Sequence, residues 1–275
     1  MLRSLFAGIS GLRGHQQMMD VVGNNIANVN TTGFKSSHLL FEDALSQTLR
    51  AATAAGANTA ATNPAQIGLG VRMAGVSTNF SQGATQLTGR NTDMLIQGDG
   101  FFVVDNAGQQ TFTRAGAFSF DAAGRLSTPD GGLVQGWMAN AGVIDTTGPL
   151  TPVTVDPGTY RGFTVGSDGT VIGQLADGTT QSIGRLAAAN FANPSGLEKV
   201  GGSLYRATVN SGAVQIGGVG ENGTGSLVTN ALEMSNVDLA QELTGLIIAQ
   251  RGFQANSKVI STSDELLQDL MNLKR

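Results

Sequence analysis

The chain has 275 residues, a formal net charge of −4 at pH 7 and a sequence pI of about 5.1. Charged residues make up 13% of it, against about 25% in ordinary globular proteins, which argues against nucleic acid or an anionic membrane as the main partner. Since the sequence has no cysteine, disulfide bonds, thiolate nucleophiles and cysteine-ligated metals are excluded.

The N-terminal segment predicts a helix over residues 2–28. Its apolar residues Leu5, Leu12, Met19 and Ile26 are spaced seven apart, and Leu2 and Ile9 begin a second line. The turn-forming run at 28–33 ends the pattern. No apolar run approaches the roughly 18 residues of a membrane span, and no secretory signal is recognisable. We therefore expect no membrane insertion, and any export to proceed without a cleaved signal peptide.

Residues 31–69 are predicted to be a connector. Large apolar residues between Phe34 and Leu49 give a short amphipathic stretch, and residues 51–63 are rich in Ala, Thr, Asn and Gly. Such a composition is typical of an extended segment or a surface loop.

Residues 70–230 predict a β-rich domain. Short apolar runs such as 94–96, 101–104, 170–172 and 183–191 alternate with Asp-Gly and Gly-rich turns, a pattern typical of antiparallel hairpins. Residues 140–160 are rich in Gly, Pro and Thr and predict a loop or a vestigial insertion.

Residues 231–275 predict a second long helix with a seven-residue apolar repeat. The repeat consists of Leu232, Leu239, Leu246, Phe253, Ile260 and Leu267. The companion line is apolar at its two ends and polar between them: Leu243, Gln250, Ser257, Asp264 and Met271. Periodicity alone leaves two interpretations open, an amphipathic helix that closes a domain and a seam that binds other subunits.

The predicted fold class is α+β, with long N- and C-terminal helices paired in a coiled-coil-like module and a mainly antiparallel β domain inserted between them. The expected division is 1–30 with 231–275, the connector 31–69, and the β domain 70–230. Burial of two narrow apolar seams contributes too little free energy to offset the conformational entropy lost when both helices become ordered. Isolated helices are also marginally stable in water. We therefore predict that both termini are largely disordered in the monomer and fold on meeting other subunits.

Thirteen residues are predicted to form the assembly seam: Leu2, Leu5, Ile9, Leu12, Met19, Ile26, Leu232, Leu239, Leu243, Leu246, Phe253, Ile260 and Leu267.

Catalytic chemistry has little support in the sequence. His15 and His38 have no nearby cluster of metal ligands, and a Ser-His-Asp triad would have to recruit one of them from outside the β domain. The Gly-X-Gly pairs at 68–70 and 98–100 lack the rest of a dinucleotide fingerprint. Four aspartates, Asp99, Asp121, Asp168 and Asp177, are interpreted as turn formers and not as calcium ligands. We expect no catalytic residues, no metal and no cofactor.

Six segments carry a resemblance to a known family. The run MLRSLFAGISGL followed by DVVGNNIANVNTTGFK (20–35) resembles the N-terminal signature of bacterial flagellar rod and hook proteins, and residues 231–275 resemble the C-terminal signature. TNPAQIGLGV (62–71), DMLIQGDGFFVV (93–104) and TRAGAFSFDAAG (113–124) are similar to the core of the same family.

The resemblance implies a structural, non-enzymatic subunit that is exported by the flagellar type III apparatus. Its members form a helical tube, with terminal helices inside and the β domain outside. Three features favour the hook, a universal joint outside the cell: Ser263-Asp264-Glu265, the ending 273–275 and FEDALSQTL (41–49). The implied partners are further copies of the chain, the distal rod, the hook cap and the hook–filament junction.

Two alternatives remain open. One is a distal rod subunit, the drive shaft of the basal body, and the other is a secreted β-rich adhesin or enzyme with helical tails.

Overall fold

The computed structural model describes residues 2–54, 60–140 and 142–273. Within these residues a long helix stands at each end of the chain, α1 Leu2–Ala27 and α2 Leu239–Leu273, and short, mainly antiparallel strands lie between them. This arrangement confirms the α+β class. None of the helices in the described part is long and apolar enough to cross a membrane.

The strands are, in chain order, β1 Ser37–Asp43, β2 Ser46–Arg50, β3 Ala65–Gly68, β4 Val71–Thr78, β5 Thr85–Leu87, β6 Met94–Gln97, β7 Phe101–Asn106, β8 Gln109–Thr113, β9 Ser119–Phe120, β10 Leu126–Ser127, β11 Leu133–Asn140, β12 Val143–Ile144, β13 Thr151–Pro152, β14 Tyr160–Val165, β15 Thr170–Leu175, β16 Thr180–Asn190, β17 Glu198–Gly201, β18 Leu204–Arg206, β19 Gln215–Gly218, β20 Ser226–Thr229 and β21 Ala231–Glu233. Single turns of 3-10 helix occur at Pro194–Gly196 and Val209–Ser211.

The chain divides into two compact units. Unit 1 comprises Met1–Ala27, Ser37–Thr78 and Asp238–Arg275, and unit 2 comprises Asn28–Ser36 and Asn79–Val237. The segment 31–69, predicted as a connector, contains β1, β2 and β3, so most of it belongs to unit 1. The predicted loop at 140–160 contains the short strands β12 and β13.

In unit 1 the two helices run antiparallel to each other. The hydroxyls of Ser4 and Ser263 lie 3.5 Å apart near one end, and Asn25 donates to Glu242 near the other. Two separate two-stranded ribbons accompany them, β1 with β4 and β2 with β3. Ribbons of this kind are marginally stable in water by themselves, because two strands cannot bury much side-chain surface.

Unit 2 is built on one large antiparallel sheet whose main path is β14-β15-β16-β11-β7-β8-β18-β17. Alternate residues of β7 belong to different cores: Phe102 packs with Leu186 and Phe118, while Phe101 packs with Tyr205 and Phe191. Since successive side chains of a strand point to opposite faces, both faces of β7 are buried. This explains why residues 101–104 form a continuous apolar run, and it confirms the predicted strands at 94–96, 101–104, 170–172 and 183–191.

The C-terminal helix begins later than the sequence pattern predicts. Leu232, the first member of the predicted repeat, lies in β21, which pairs antiparallel with β5, and it is buried in unit 2. The helix starts after Asp238, whose side chain accepts hydrogen bonds from the backbone N–H groups of Ala240 and Gln241. An aspartate in this N-cap position satisfies donors that an unfinished first turn leaves free. The helical reading of residues 231–238 is therefore wrong.

Candidate assembly surface

The exposed large apolar side chains of the described residues are concentrated in unit 1. Those of unit 2 are Leu87, Val143, Val200 and Val209. Those of unit 1 are Phe6, Ile9, Leu40, Phe41, Leu45, Leu49, Ile67, Leu69, Val71, Met73, Val76, Leu239, Leu243, Ile247, Ile248, Val259, Leu266 and Met271. Soluble monomers rarely expose apolar surface in such concentration, so unit 1 is the candidate for an interaction surface.

The predicted seam residues fall into three groups. On the helices, partly buried positions are Leu5, Leu12, Met19, Ile26, Leu246, Phe253, Ile260 and Leu267. Ile9, Leu239 and Leu243 are exposed, and Leu232 is buried in unit 2. The side chain of Leu2 lies outside the part of the structure that is described. In the first group, Ile260 lies against Gly8 of α1, whereas Ile9, Leu239 and Leu243 are open to solvent.

The predicted companion line of α2 is open to solvent, and a different line is turned inward. The predicted members Gln250, Ser257 and Asp264 are exposed, and the line that is turned inward lies one position earlier in each heptad: Glu242, Ala249, Asn256 and Ser263. These side chains are small or polar because the helices approach closely beside glycines. A Cβ at Gly11 would lie 2.6 Å from Oδ1 of Asn256, and one at Gly252 would lie 2.4 Å from the imidazole of His15. The predicted companion line therefore does not pack into a core within the chain, as expected for a line whose middle is polar.

One end of the helix pair is closed by a buried polar bridge. The amide of Asn25 donates from Nδ2 to Oε1 of Glu242 at 2.9 Å and to the backbone oxygen of Ser37 at 2.8 Å. Its Oδ1 accepts from the backbone N–H of Ser37 at 3.0 Å. The bridge ties α1, α2 and the first residue of β1 together, and it satisfies polar groups that would otherwise be costly to bury.

A groove runs along the outer side of α1 in unit 1, with a volume of about 340 Å³. Its apolar lining comes from Phe6 and Ile9 of α1 and from Val71 and Met73 of β4. Two basic side chains, Arg13 and Arg72, complete the rim. The groove therefore combines an apolar floor with positive charge at its edge.

Unit 2 contains a buried cluster of three charged residues that the sequence reasoning did not single out. Nζ of Lys35 lies 2.5 Å from Oε1 of Glu233, and Nη1 of Arg114 lies 3.5 Å from Oε2 of the same carboxylate. Lys35 also donates to the backbone oxygen of Ser81, and the N–H of Gly83 donates to Glu233. All three charged side chains are almost completely buried.

The environment of this cluster shifts the pKa of both cations. Burial lowers the pKa of Lys35, and the nearby Glu233 carboxylate opposes that shift. Burial likewise lowers the pKa of Arg114, again against Glu233. Glu233 is thus the anion that keeps two buried cations charged. Two cations and one carboxylate in a dry interior make the site structural and unsuited to open binding chemistry.

Aspartates shape the surface turns of unit 2, as the sequence predicts for Asp121, Asp168 and Asp177. Their side chains accept hydrogen bonds from backbone N–H groups of residues Ala123, Thr170 and Thr179. The hydrogen bond from the Thr170 hydroxyl lowers the pKa of Asp168. Among the described residues, no group of three or more His, Cys, Asp or Glu side chains is arranged to hold a metal ion.

Comparison with known proteins supplies the family. A profile described as "Flagella basal body rod protein" matches residues 5–35, the "Flagellar hook protein FlgE/F/G D1 domain" matches 95–173, and the "Flagellar basal body rod FlgEFG protein C-terminal" matches 228–273. The flagellar basal-body rod protein FlgG of Bacillus subtilis is 48% identical over 276 residues, with 100% of both chains covered.

The chain belongs to the family of flagellar rod and hook proteins. The flagellar hook protein FlgE of Treponema pallidum is 31% identical over 463 aligned residues, with 100% of both chains covered. The rod protein FlgG of Caulobacter vibrioides is 36% identical over 278 residues, with 99% of this chain and 100% of the relative covered. Members of this family are structural components of the flagellum and not enzymes.

The buried charges connect all three segments that match the models of flagellar rod and hook proteins. Lys35 is the last residue of the first matched segment, Arg114 lies in the second, and Glu233 lies near the start of the third. Charged residues are few in this chain, so their presence inside the matched segments is the sequence signal that could have identified this buried cluster. The expected hook identity is not confirmed, since the rod relatives are more similar than the hook relatives.

Proposed function

We propose that this chain is a subunit of the distal flagellar rod, and that copies of it assemble into a straight tube that transmits torque. The observation that carries the proposal is the similarity to rod proteins over the whole length of the chain. The alignment of its 275 residues with the Bacillus subtilis rod protein spans 276 positions, so that rod protein has almost no insertion relative to this chain. The alignment to the Treponema pallidum hook protein extends over 463 positions, so that hook protein contains long insertions that this chain lacks.

The surface of unit 1 supports self-assembly. Leu243, Ile247 and Ile248 are each about half exposed on α2, and Leu45 of the segment before β2 is 84% exposed. Burying apolar area contributes about 25 cal/mol per Å², so covering these side chains with neighbouring copies provides a driving force for polymerisation. A surface that binds a different patch on the next copy produces an open helical filament when the rotation does not close.

The proposal includes the finer structural features expected from the sequence. The helix pair acts as a coiled-coil-like module on the inside of the tube, and unit 2 lies outside. The termini become fully ordered on assembly. The chain is exported by the flagellar type III apparatus and meets other rod and hook proteins at its ends.

Polymerisation of the purified chain tests the proposal. We expect straight tubes by electron microscopy, because a drive shaft must not bend. A double variant, Leu243→Asp with Ile247→Asp, should remain monomeric, since each charge would have to be desolvated at a subunit contact. The matched control carries aspartate at two exposed valines of unit 2, Val143 and Val209.

The outcomes separate the alternatives. Straight tubes that are lost in the α2 variant and kept in the control support the rod proposal. Curved or supercoiled tubes would favour the hook, and a wild-type chain that stays monomeric at high concentration would refute both.

A further inference from the structure

The groove along α1 has a chemical complement on the same chain. Phe6 is 67% exposed and Ile9, Val71 and Met73 are each about 40% exposed, so the apolar floor is open to solvent. Arg13 has no ion-pair partner among the described residues. Arg72 has a carboxylate partner, Glu42, but the pair is exposed to solvent and contributes little to stability. A suitable occupant is an apolar ridge that carries negative charge.

The outer face of α2 near its C-terminal end provides such a ridge. Val259 is 42% exposed and Leu266 is 56% exposed, and they lie seven residues apart on one face. Two exposed carboxylates, Glu265 and Asp269, flank Leu266, and neither has an ion-pair partner among the described residues. We call Val259, Glu265, Leu266 and Asp269 the acidic ridge.

The acidic end of the ridge lies far from Arg13 of its own chain. In the antiparallel pair Gly11 faces Asn256, so Arg13 lies further towards one end and Asp269 further towards the other. At 1.5 Å per residue, the two are separated by roughly 20 Å along the helix axes. An ion pair between Asp269 and Arg13 therefore requires two molecules.

We propose that the acidic ridge of one copy docks into the groove of the next. Leu266 and Val259 cover Phe6, Ile9, Val71 and Met73, while Glu265 and Asp269 pair with Arg13 and Arg72. The contact is heterologous, because each copy presents a groove at one site and a ridge at another, and repetition of it extends a filament. This inference rests on the proposed self-assembly and names the pair of surfaces that carries part of it.

Reversing the charges of the groove and of the ridge, separately and together, tests the docking. The groove variant is Arg13→Glu with Arg72→Glu, and the ridge variant is Glu265→Arg with Asp269→Arg. Each should raise the critical concentration for polymerisation at least about tenfold, which corresponds to roughly 1.4 kcal/mol per contact. The chain that carries all four substitutions should recover a critical concentration near that of the wild type, because the charges are complementary again.

The matched control reverses an exposed pair of unit 2, Glu198→Arg with Arg206→Glu, and should leave the critical concentration unchanged. Fluorescence of the buried Trp137 checks that unit 2 is folded in every monomer. One outcome is that wild-type tubes form while the variant with all four substitutions has a critical concentration as high as that of the two double variants. In that case the docking is wrong and the proposed function stands. If the wild type forms no tubes, the proposed function fails and the docking with it.

Discussion

Replacing Glu233 by glutamine is expected to lower the free energy of unfolding of unit 2 by about 3–5 kcal/mol, the usual cost of breaking a buried ion pair from one side. The substitution removes the anion that faces Lys35 and Arg114, while the shape of the side chain is kept. Two like charges then remain in a dry site. Urea unfolding followed by fluorescence of Trp137, the single tryptophan, measures the loss.

The pH dependence of this loss has a definite sign. Burial already lowers the pKa of Lys35, and the loss of Glu233 removes the group that opposes this shift. The unfolded chain then binds more protons than the folded one as the pH rises. The difference in the free energy of unfolding between the wild type and the glutamine variant should therefore become smaller as the pH approaches the ordinary lysine pKa of about 10.4.

An exposed pair of unit 2 provides the control for Glu233. Oε2 of Glu198 lies 2.7 Å from Nη2 of Arg206, and both side chains are about half exposed. Glu198→Gln should cost no more than about 1 kcal/mol, because exposed pairs contribute little. Equal losses for Glu233→Gln and Glu198→Gln would contradict the structural role of the buried cluster.

Replacing Gly116 by alanine is expected to destabilise unit 2 by about 3 kcal/mol or more, at the upper end of overpacking effects. A Cβ there would lie 1.6 Å from the backbone oxygen of Met94, which is completely buried. The N–H of Met94 also donates to the oxygen of Gly116 at 3.0 Å, so the two backbones cannot separate without losing a hydrogen bond. Urea unfolding again measures the change.

Gly162→Ala is the matched control, since it lies in β14 of the same unit with no heavy atom within 4 Å of the new Cβ. Its effect should stay within about 1 kcal/mol. A Gly116 variant that is as stable as the Gly162 variant would show that the close approach to Met94 is not maintained in solution.

The β domain was largely predictable because its signals are local. The apolar run 101–104 and the turns beside it identify a buried strand from sequence alone, and the strand is where it was expected. The pairing of β1 with β4 was not predictable in the same way. Its strands are separated by residues 44–70, and the side chains of both are mostly exposed, so they lack the burial pattern that identifies a strand.

The helical face was predicted in part. The line through Leu246, Phe253 and Ile260 is partly buried, but its companion runs through Ala249 and Asn256. The seven-residue spacing of large apolar residues identifies the first line, but it cannot identify the second, because the close approach at Gly11 admits small and polar residues there. Leu232 fits the seven-residue spacing by coincidence, because pairing of β21 with β5 decides its conformation.

We infer that unit 1 completes its fold against other copies, and hydrogen exchange on the monomer and on the assembled tube tests this inference. We predict that amides of 2–27, 239–273 and the ribbons β1 to β4 exchange fast in the monomer and become protected in the tube, because their apolar surface is covered only there. Amides of β7 and β16 should be protected in both states. Protection of unit 1 in the monomer equal to that of β7 and β16 would contradict the account.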